Sequence, residues 1–129
     1  MGHSKYSFPK AEKLTGKKRI EELFKRGSSF YLDIFQVRHL LLEETEQSQV
    51  LISVPKKNFK KAVDRNLLKR RIREAYRLNK HLLQDTEEVK VFSLGFIYLS
   101  KDILSFKDIE TQLIKCLVRL RNSNNKNLD

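Results

Sequence analysis

A chain of 129 residues with 40% apolar side chains suits one domain with a modest core. Its 27 Lys and Arg against 16 Asp and Glu leave a formal charge of +11, the balance of a protein whose partner is a polyanion. The apolar runs are too short to cross a bilayer, MGHSKYSFPK lacks the apolar stretch of a secretory signal, and the single Cys116 cannot close an internal disulfide, so the expectation is a cytoplasmic protein with no membrane role.

Residues 1–13 carry little periodic signal and read as an extended arm, since the residue before Pro9 is biased away from helix. Thr15 reads as a helix start. From Lys17 to Arg26, Ile20, Leu23 and Phe24 fall at i, i+3 and i+4 on one helix face, and Gly27 supplies the stop. In the aromatic and branched stretch 28–42, Phe35-Gln36-Val37-Arg38 alternates as a half-buried strand does. Phe35, Val37 and Leu41 should face the core, and Gln36 and Arg38 the other way. Residues 28–32 leave room for an additional short strand.

Glu43 to Gln49 is a polar connection, and Val50 to Val54 is a strand expected antiparallel to the previous one because the link is short. Pro55 ends it. Asn58 to about Leu83 reads as the longest helix, and Val89 to Leu99 as β-rich with Gly95 a bulge or close-approach point. From Ser105 to Arg121, Phe106, Ile109, Leu113, Cys116, Leu117 and Leu120 keep helical spacing behind an N-cap at Ser105. The polar residues 122–129 form a flexible tail. The fold expected is a single-domain α+β sandwich over residues 14–121, in the order α-β-β-(β)-α-β-α.

Between Lys56 and Arg73 the chain reads KKNFKKAVDRNLLKRRIR, nine Lys or Arg against one acid, Asp64. At about 100° per residue, Arg65, Asn66, Lys69, Arg70, Arg73, Arg77 and Lys80 share a sector of roughly 140°. A solvated surface face would do with fewer charges and would mix their signs. Cations stacked at i and i+4 without acids weaken their own helix by a few tenths of a kcal/mol per pair, a cost that phosphates offset. The opposite sector holds Leu67, Leu68, Ile72, Ala75 and Leu78 for docking on a sheet, with Arg71 misplaced among them.

Protein-borne catalysis finds no support in the chain. His3, His39 and His81 lack metal-ligand spacing, and Cys116 falls on an apolar stripe as a small core residue. Glu21, Glu22, Glu43, Glu44 and Glu46 sit in solvent-facing or connecting settings rather than a metal cluster. No catalytic residue and no bound metal or cofactor is expected on the protein. A general RNA-binding module, such as a ribosomal protein or RNA chaperone, fits the composition equally well. A DNA-binding regulator fits less well, for no second helix precedes the basic one at turn-helix spacing.

LISVPKKNFKKAVDRNLLKRRIREAYR, joined upstream by FPKAEKLTGKKRIEELFKRGSS, resembles the signature of the bacterial ribonuclease P protein family from Phe8 to about Tyr76. Leu67 stands where that motif usually has a further basic residue, and Pro55 where a Ser is common. The resemblance implies an α+β sandwich whose central strand-helix-strand connection is a left-handed crossover. It also implies a noncatalytic protein subunit of an endoribonuclease that matures the 5′ end of tRNA, the hydrolysis being carried by an RNA subunit with Mg²⁺. The implied partners are ribonuclease P RNA and precursor tRNA, with no obligate protein partner. RNA contact would fall to Lys56, Lys57, Lys60, Lys61, Arg65, Asn66, Lys69, Arg70, Arg73 and Arg77. A cleft for the precursor's 5′ leader would use Ile20, Phe24, Gln36, Arg38, Lys69 and Arg73, with Phe24 the clearest stacking side chain.

Overall fold

The computed structural model describes residues 12–42, 48–84 and 91–126; residues 1–11 of the expected arm, His3, the connecting Glu43, Glu44 and Glu46, and residues 127–129 lie outside them. The described chain forms α1 (Lys17–Arg26), β1 (Ser28–Leu32), β2 (Phe35–Leu42), β3 (Gln49–Ser53), α2 (Ala62–Asn79), a 3₁₀ turn (Lys80–Leu83), β4 (Val91–Tyr98) and α3 (Phe106–Lys126). The optional strand at residues 28–32 is thus real. It turns into β2 through Asp33 and Ile34, with Asp33 at a φ of 50°, a left-handed conformation that Asp tolerates better than most residues.

The sheet order is β1-β2-β4-β3, with β4 antiparallel to β2 and parallel to β3. The expected pairing of the first two strands is therefore corrected: β2 and β3 run in opposite directions but do not touch as neighbours, because β4 lies between them. Composition explains the insertion. VFSLGFIY is buried along almost its whole length, and a strand so apolar belongs at the centre, flanked by strands and covered on both faces. The parallel pair β3 and β4 is joined through α2, the strand-helix-strand unit that the family resemblance anticipated.

Strand register sorts the side chains onto two faces. Phe35, Val37, His39 and Leu41 of β2 share one face with Tyr98, Phe96, Leu94 and Phe92 of β4 and with Val50 and Ile52 of β3. Here α2 and α3 pack, contributing Leu68, Ile72, Ala75 and Tyr76 from one helix and Ile109, Leu113, Cys116, Leu117 and Leu120 from the other. Each Leu or Ile among them, fully buried, contributes about 1.5–3 kcal/mol. Phe35 meets the rings of Phe96 and Tyr98 edge-on at 6.0 and 6.1 Å, and Phe59 seals the end against Tyr98. Leu41 does not join this core, contrary to the alternation; it is exposed, two residues past the point where β1 stops pairing with β2 at His39.

The other face carries Gln36, Arg38 and Leu40 of β2, Ser93, Gly95 and Ile97 of β4, and Gln49, Leu51 and Ser53 of β3. Among the described residues α1 is the helix that packs on it, against β2 and β4. Its Leu23 lies directly over Gly95, where a Cβ would stand 3.4 Å from the Leu23 methyl, in van der Waals contact. Register continues unbroken through Gly95, so of the two expected roles it has that of close approach, not of a bulge. Gly16 rather than Thr15 precedes α1, accepting a 3.0 Å bond from the Ile20 amide, while Gly27 ends the helix as expected.

α3 starts where its sequence placed it: the Ser105 hydroxyl accepts the Asp108 amide at 3.2 Å. Its far end differs, for the helix continues past Arg121 to Lys126.

Candidate nucleic-acid interface

The basic segment 56–80 is not helical throughout. Lys56 to Asn58 form a turn in which the Pro55 carbonyl accepts the amides of Asn58 and Phe59, and α2 begins only at Ala62. The cause is Phe59. Its ring is buried, and anchoring it beside Tyr98 forces the chain through a turn before the helix can start. Lys56, Lys57, Lys60 and Lys61 therefore sit on a loop, all of them exposed.

Along α2 the buried side chains are Leu68, Ile72, Ala75 and Tyr76, whereas Leu67 and Leu78 are only half-buried. On the 100° wheel the buried sector lies roughly 60° away from the one the leucines suggested, towards the cationic side. Rotation also resolves Arg71. It falls at the edge of the packed sector, and its guanidinium donates to the Leu104 carbonyl, tying α2 to the segment before α3. Arg71 is a structural cation and does not belong to the basic face.

The same rotation brings the basic face down beside β3. Lys69 and Arg73, both half-buried, line a cleft of about 150 Å³ with Lys13, Leu14, Val50, Leu51 and Ile52. Lys13 was not foreseen. It enters because residues 13 and 14 run alongside β3, where Lys13 forms a parallel bridge to Val50 and the Leu14 amide donates to the Val50 carbonyl at 2.9 Å. Glu12 fastens the same segment to the end of α2, accepting two bonds from the Lys80 ammonium at 2.8 and 2.9 Å.

Two of the expected RNA-contacting side chains are engaged within the protein. Arg77 pairs with Glu74, whose carboxyl it holds below the usual carboxylate range through that hydrogen bond. Arg65 turns back and donates from Nη1 to the carbonyls of Phe59 and Lys60 at 2.8 and 2.9 Å. Lys56, Lys57, Lys60, Lys61, Lys69, Arg70 and Arg73 have no ion pair among the described residues, and Asn66 is exposed beside them.

Of the cleft residues foreseen on α1 and β2, Phe24 and Arg38 come together. Phe24 is 41% exposed, and the Arg38 guanidinium carbon lies 4.6 Å from its ring centroid while Nη2 donates to the Phe24 carbonyl at 2.8 Å. This is a cation-stacked aromatic with room on its other side. Ile20 is half-buried on α1, and Gln36 is half-buried one step along the same sheet face as Arg38. Tyr31, which the sequence reading passed over, pairs with Gln36 and is 67% exposed, adding a second open aromatic. Alternation could have found it, since Tyr31 follows a core Phe30 in a strand.

A single row crosses this face, from Arg38 on β2 through Gly95 on β4 to Leu51 on β3. Leu51 belongs to the cleft of Lys69 and Arg73, so the stacked Phe24 and Arg38 stand about 10 Å, two strand spacings, from that cleft. Aromatic rings and cations at that separation suit single-stranded nucleic acid, whose bases stack while its phosphates meet the cations.

The remaining chemistry-bearing groups lie elsewhere. Cys116 is buried in the core, where desolvation pushes its thiol up to about 12 and keeps it unreactive. Glu22 pairs with Arg26 at 2.7 Å. Among the described residues no three His, Cys, Asp or Glu side chains converge as a metal donor set, and no helix is long and apolar enough to cross a membrane.

Comparison with known proteins identifies the family and the fold. The Ribonuclease P family model matches residues 8–121. The ribonuclease P protein component of Porphyromonas gingivalis is 36% identical over 119 residues, covering 89% of this chain and 87% of the relative. Among solved structures, the RNase P protein of Thermotoga maritima superposes with a TM-score of 0.68 at 28% identity, over 84% of this chain and 96% of its own. The RNase P protein of Staphylococcus aureus gives a TM-score of 0.68 at 25% identity, over 86% and 95%.

Proposed function

Because the chain belongs to the ribonuclease P protein family, we propose that its basic loop and α2 hold the ribonuclease P RNA while the open sheet face receives the 5′ leader of precursor tRNA. It is the protein subunit of a bacterial ribonuclease P, an endonuclease, and its partner is the ribonuclease P RNA. In our reading the RNA, with Mg²⁺, hydrolyses the phosphodiester at the 5′ end of the mature tRNA, and the protein contributes binding alone.

The observation that carries this reading is the presence of two different surfaces on one sheet-and-helix frame. Exposed lysines at 56, 57, 60 and 61, with Asn66 and Arg70, offer charge and hydrogen bonds to a folded RNA through its phosphates. Phe24, Arg38, Gln36 and Tyr31 on the sheet side, next to Lys69 and Arg73, instead offer rings and cations to unpaired nucleotides.

Reconstitution with the cognate RNA tests the reading. The protein should accelerate precursor-tRNA cleavage at low Mg²⁺, have a much smaller effect at high Mg²⁺, and cleave nothing without the RNA. Equal binding to unrelated folded RNAs with no acceleration would assign the chain instead to general RNA binding.

A further inference from the structure

Arg65 is the first arginine of the basic helix, and its side chain does not point outward. From the first turn of α2 its Nη1 donates to two consecutive carbonyls of the preceding loop, those of Phe59 and Lys60. These carbonyls lie outside the helix and receive no other bond among the described residues. The same loop is fixed at two further points: the Pro55 carbonyl accepts the Asn58 and Phe59 amides, and the Phe59 ring is buried against Tyr98. Between these anchors stand Lys56, Lys57, Lys60 and Lys61, exposed and without an ion pair among the described residues. Four ammonium groups so close repel one another, and an unrestrained loop would let them spread.

We infer that Arg65 is a positioning residue for RNA binding: it fastens the loop at residues 56–61 so that its four lysines meet phosphates as one preorganised group, instead of contacting a phosphate itself. The inference rests on the RNA-binding reading above and deepens it. A guanidinium suits the task because one planar group reaches two adjacent carbonyls and stays charged. Holding the loop before RNA arrives removes an ordering cost that would otherwise weaken every lysine contact together.

Counting released counterions separates this role from a direct contact. Each phosphate neutralised contributes about 0.7–0.9 to the slope of log affinity against log salt. Arg65→Gln should lower the slope for the ribonuclease P RNA by more than one contact's worth. In a Lys60→Gln, Lys61→Gln background the same change should lower it by clearly less than it does in the intact protein. Amide exchange at residues 57–61 should quicken in Arg65→Gln while that of Ile72 to Tyr76 stays slow. A loss of a single contact's worth that is the same in both backgrounds, with loop exchange unchanged, would overturn the inference and leave the RNA-binding reading standing.

The unaltered protein provides a second measurement, should Arg65→Gln not fold. Nitrogen-detected spectra should show the Arg65 guanidinium protons already protected in the free protein and unmoved when RNA is added. A guanidinium signal that becomes protected only with RNA would make Arg65 a direct contact. Wild-type protein that binds the RNA without salt dependence would overturn the functional reading and this inference with it.

Discussion

Gly27 ends α1 where space, not backbone angle, demands glycine. A Cβ there would stand 2.5 Å from the Leu23 carbonyl and 2.8 Å from that of His39, both backbone atoms that cannot swing aside. Gly27→Ala should therefore destabilise the protein by about 1–3 kcal/mol in urea unfolding, the usual cost of overpacking. His39 makes a prediction of a different kind. Burial, and then nearby Arg119, hold its pKa below the ordinary 6.5, and its ring lies 5.7 Å from that of Phe30. The folded state thus favours the neutral ring, so the unfolded chain takes up the proton first as the pH falls. This contribution to stability is fully present above about pH 6.5 and is lost as the pH drops from 6.5 towards the lowered folded value. Urea midpoints measured from pH 7.5 to 5 should fall more steeply for the wild type than for His39→Gln.

Helix α1 illustrates the element scale. Alone it is a short, basic amphipathic segment, below the length at which isolated helices persist in water, and it depends on docking Leu23 over Gly95. The same docking sets where Phe24 meets Arg38, so the stacking pair is a product of helix placement. Gly95→Val should push α1 off the strand. Affinity for the ribonuclease P RNA alone should be kept, whereas the preference for precursor over mature tRNA should fall by about 5- to 100-fold, the equivalent of one lost base stack. Phe24→Ala should show the same selective loss in a direct binding assay; equal weakening of both tRNAs would contradict the cleft assignment. For α2, periodicity located the helix but not its rotation. The wheel placed Arg71 inside the apolar sector, and Tyr76, a large amphipathic side chain next to charged neighbours, outside it. Packing against β4, where Tyr76 meets Phe96 at 6.1 Å, decided otherwise.

At the scale of the whole molecule, the charge of +11 acts in two opposed ways. Self-repulsion weakens the compact state, while attraction to phosphate drives RNA binding. Raising KCl from low ionic strength should therefore raise the unfolding midpoint of the free protein by screening its self-repulsion while lowering its RNA affinity, an opposition that a neutral domain would not show. Replacing Lys69 and Arg73 together by Gln should flatten the salt dependence of precursor binding by about 1.4–1.8 in slope, as expected when two phosphates are released.

The sequence by itself determined the class of fold, the polyanionic partner and the basic segment at residues 56–80, because charge density and periodicity are local properties written in consecutive residues. It also located Phe24 and Arg38 separately, on a helix and a strand. Only the tertiary structure decided that β4 inserts between β2 and β3, that Lys13 joins Lys69 and Arg73, that Tyr31 opens beside Gln36, and that Arg65 turns back to bond the Phe59 and Lys60 carbonyls. Each of these depends on which segments become neighbours across the sheet or on how far a helix rolls as it packs. Such choices are made by burial summed over the whole core, and no short stretch of sequence carries that sum.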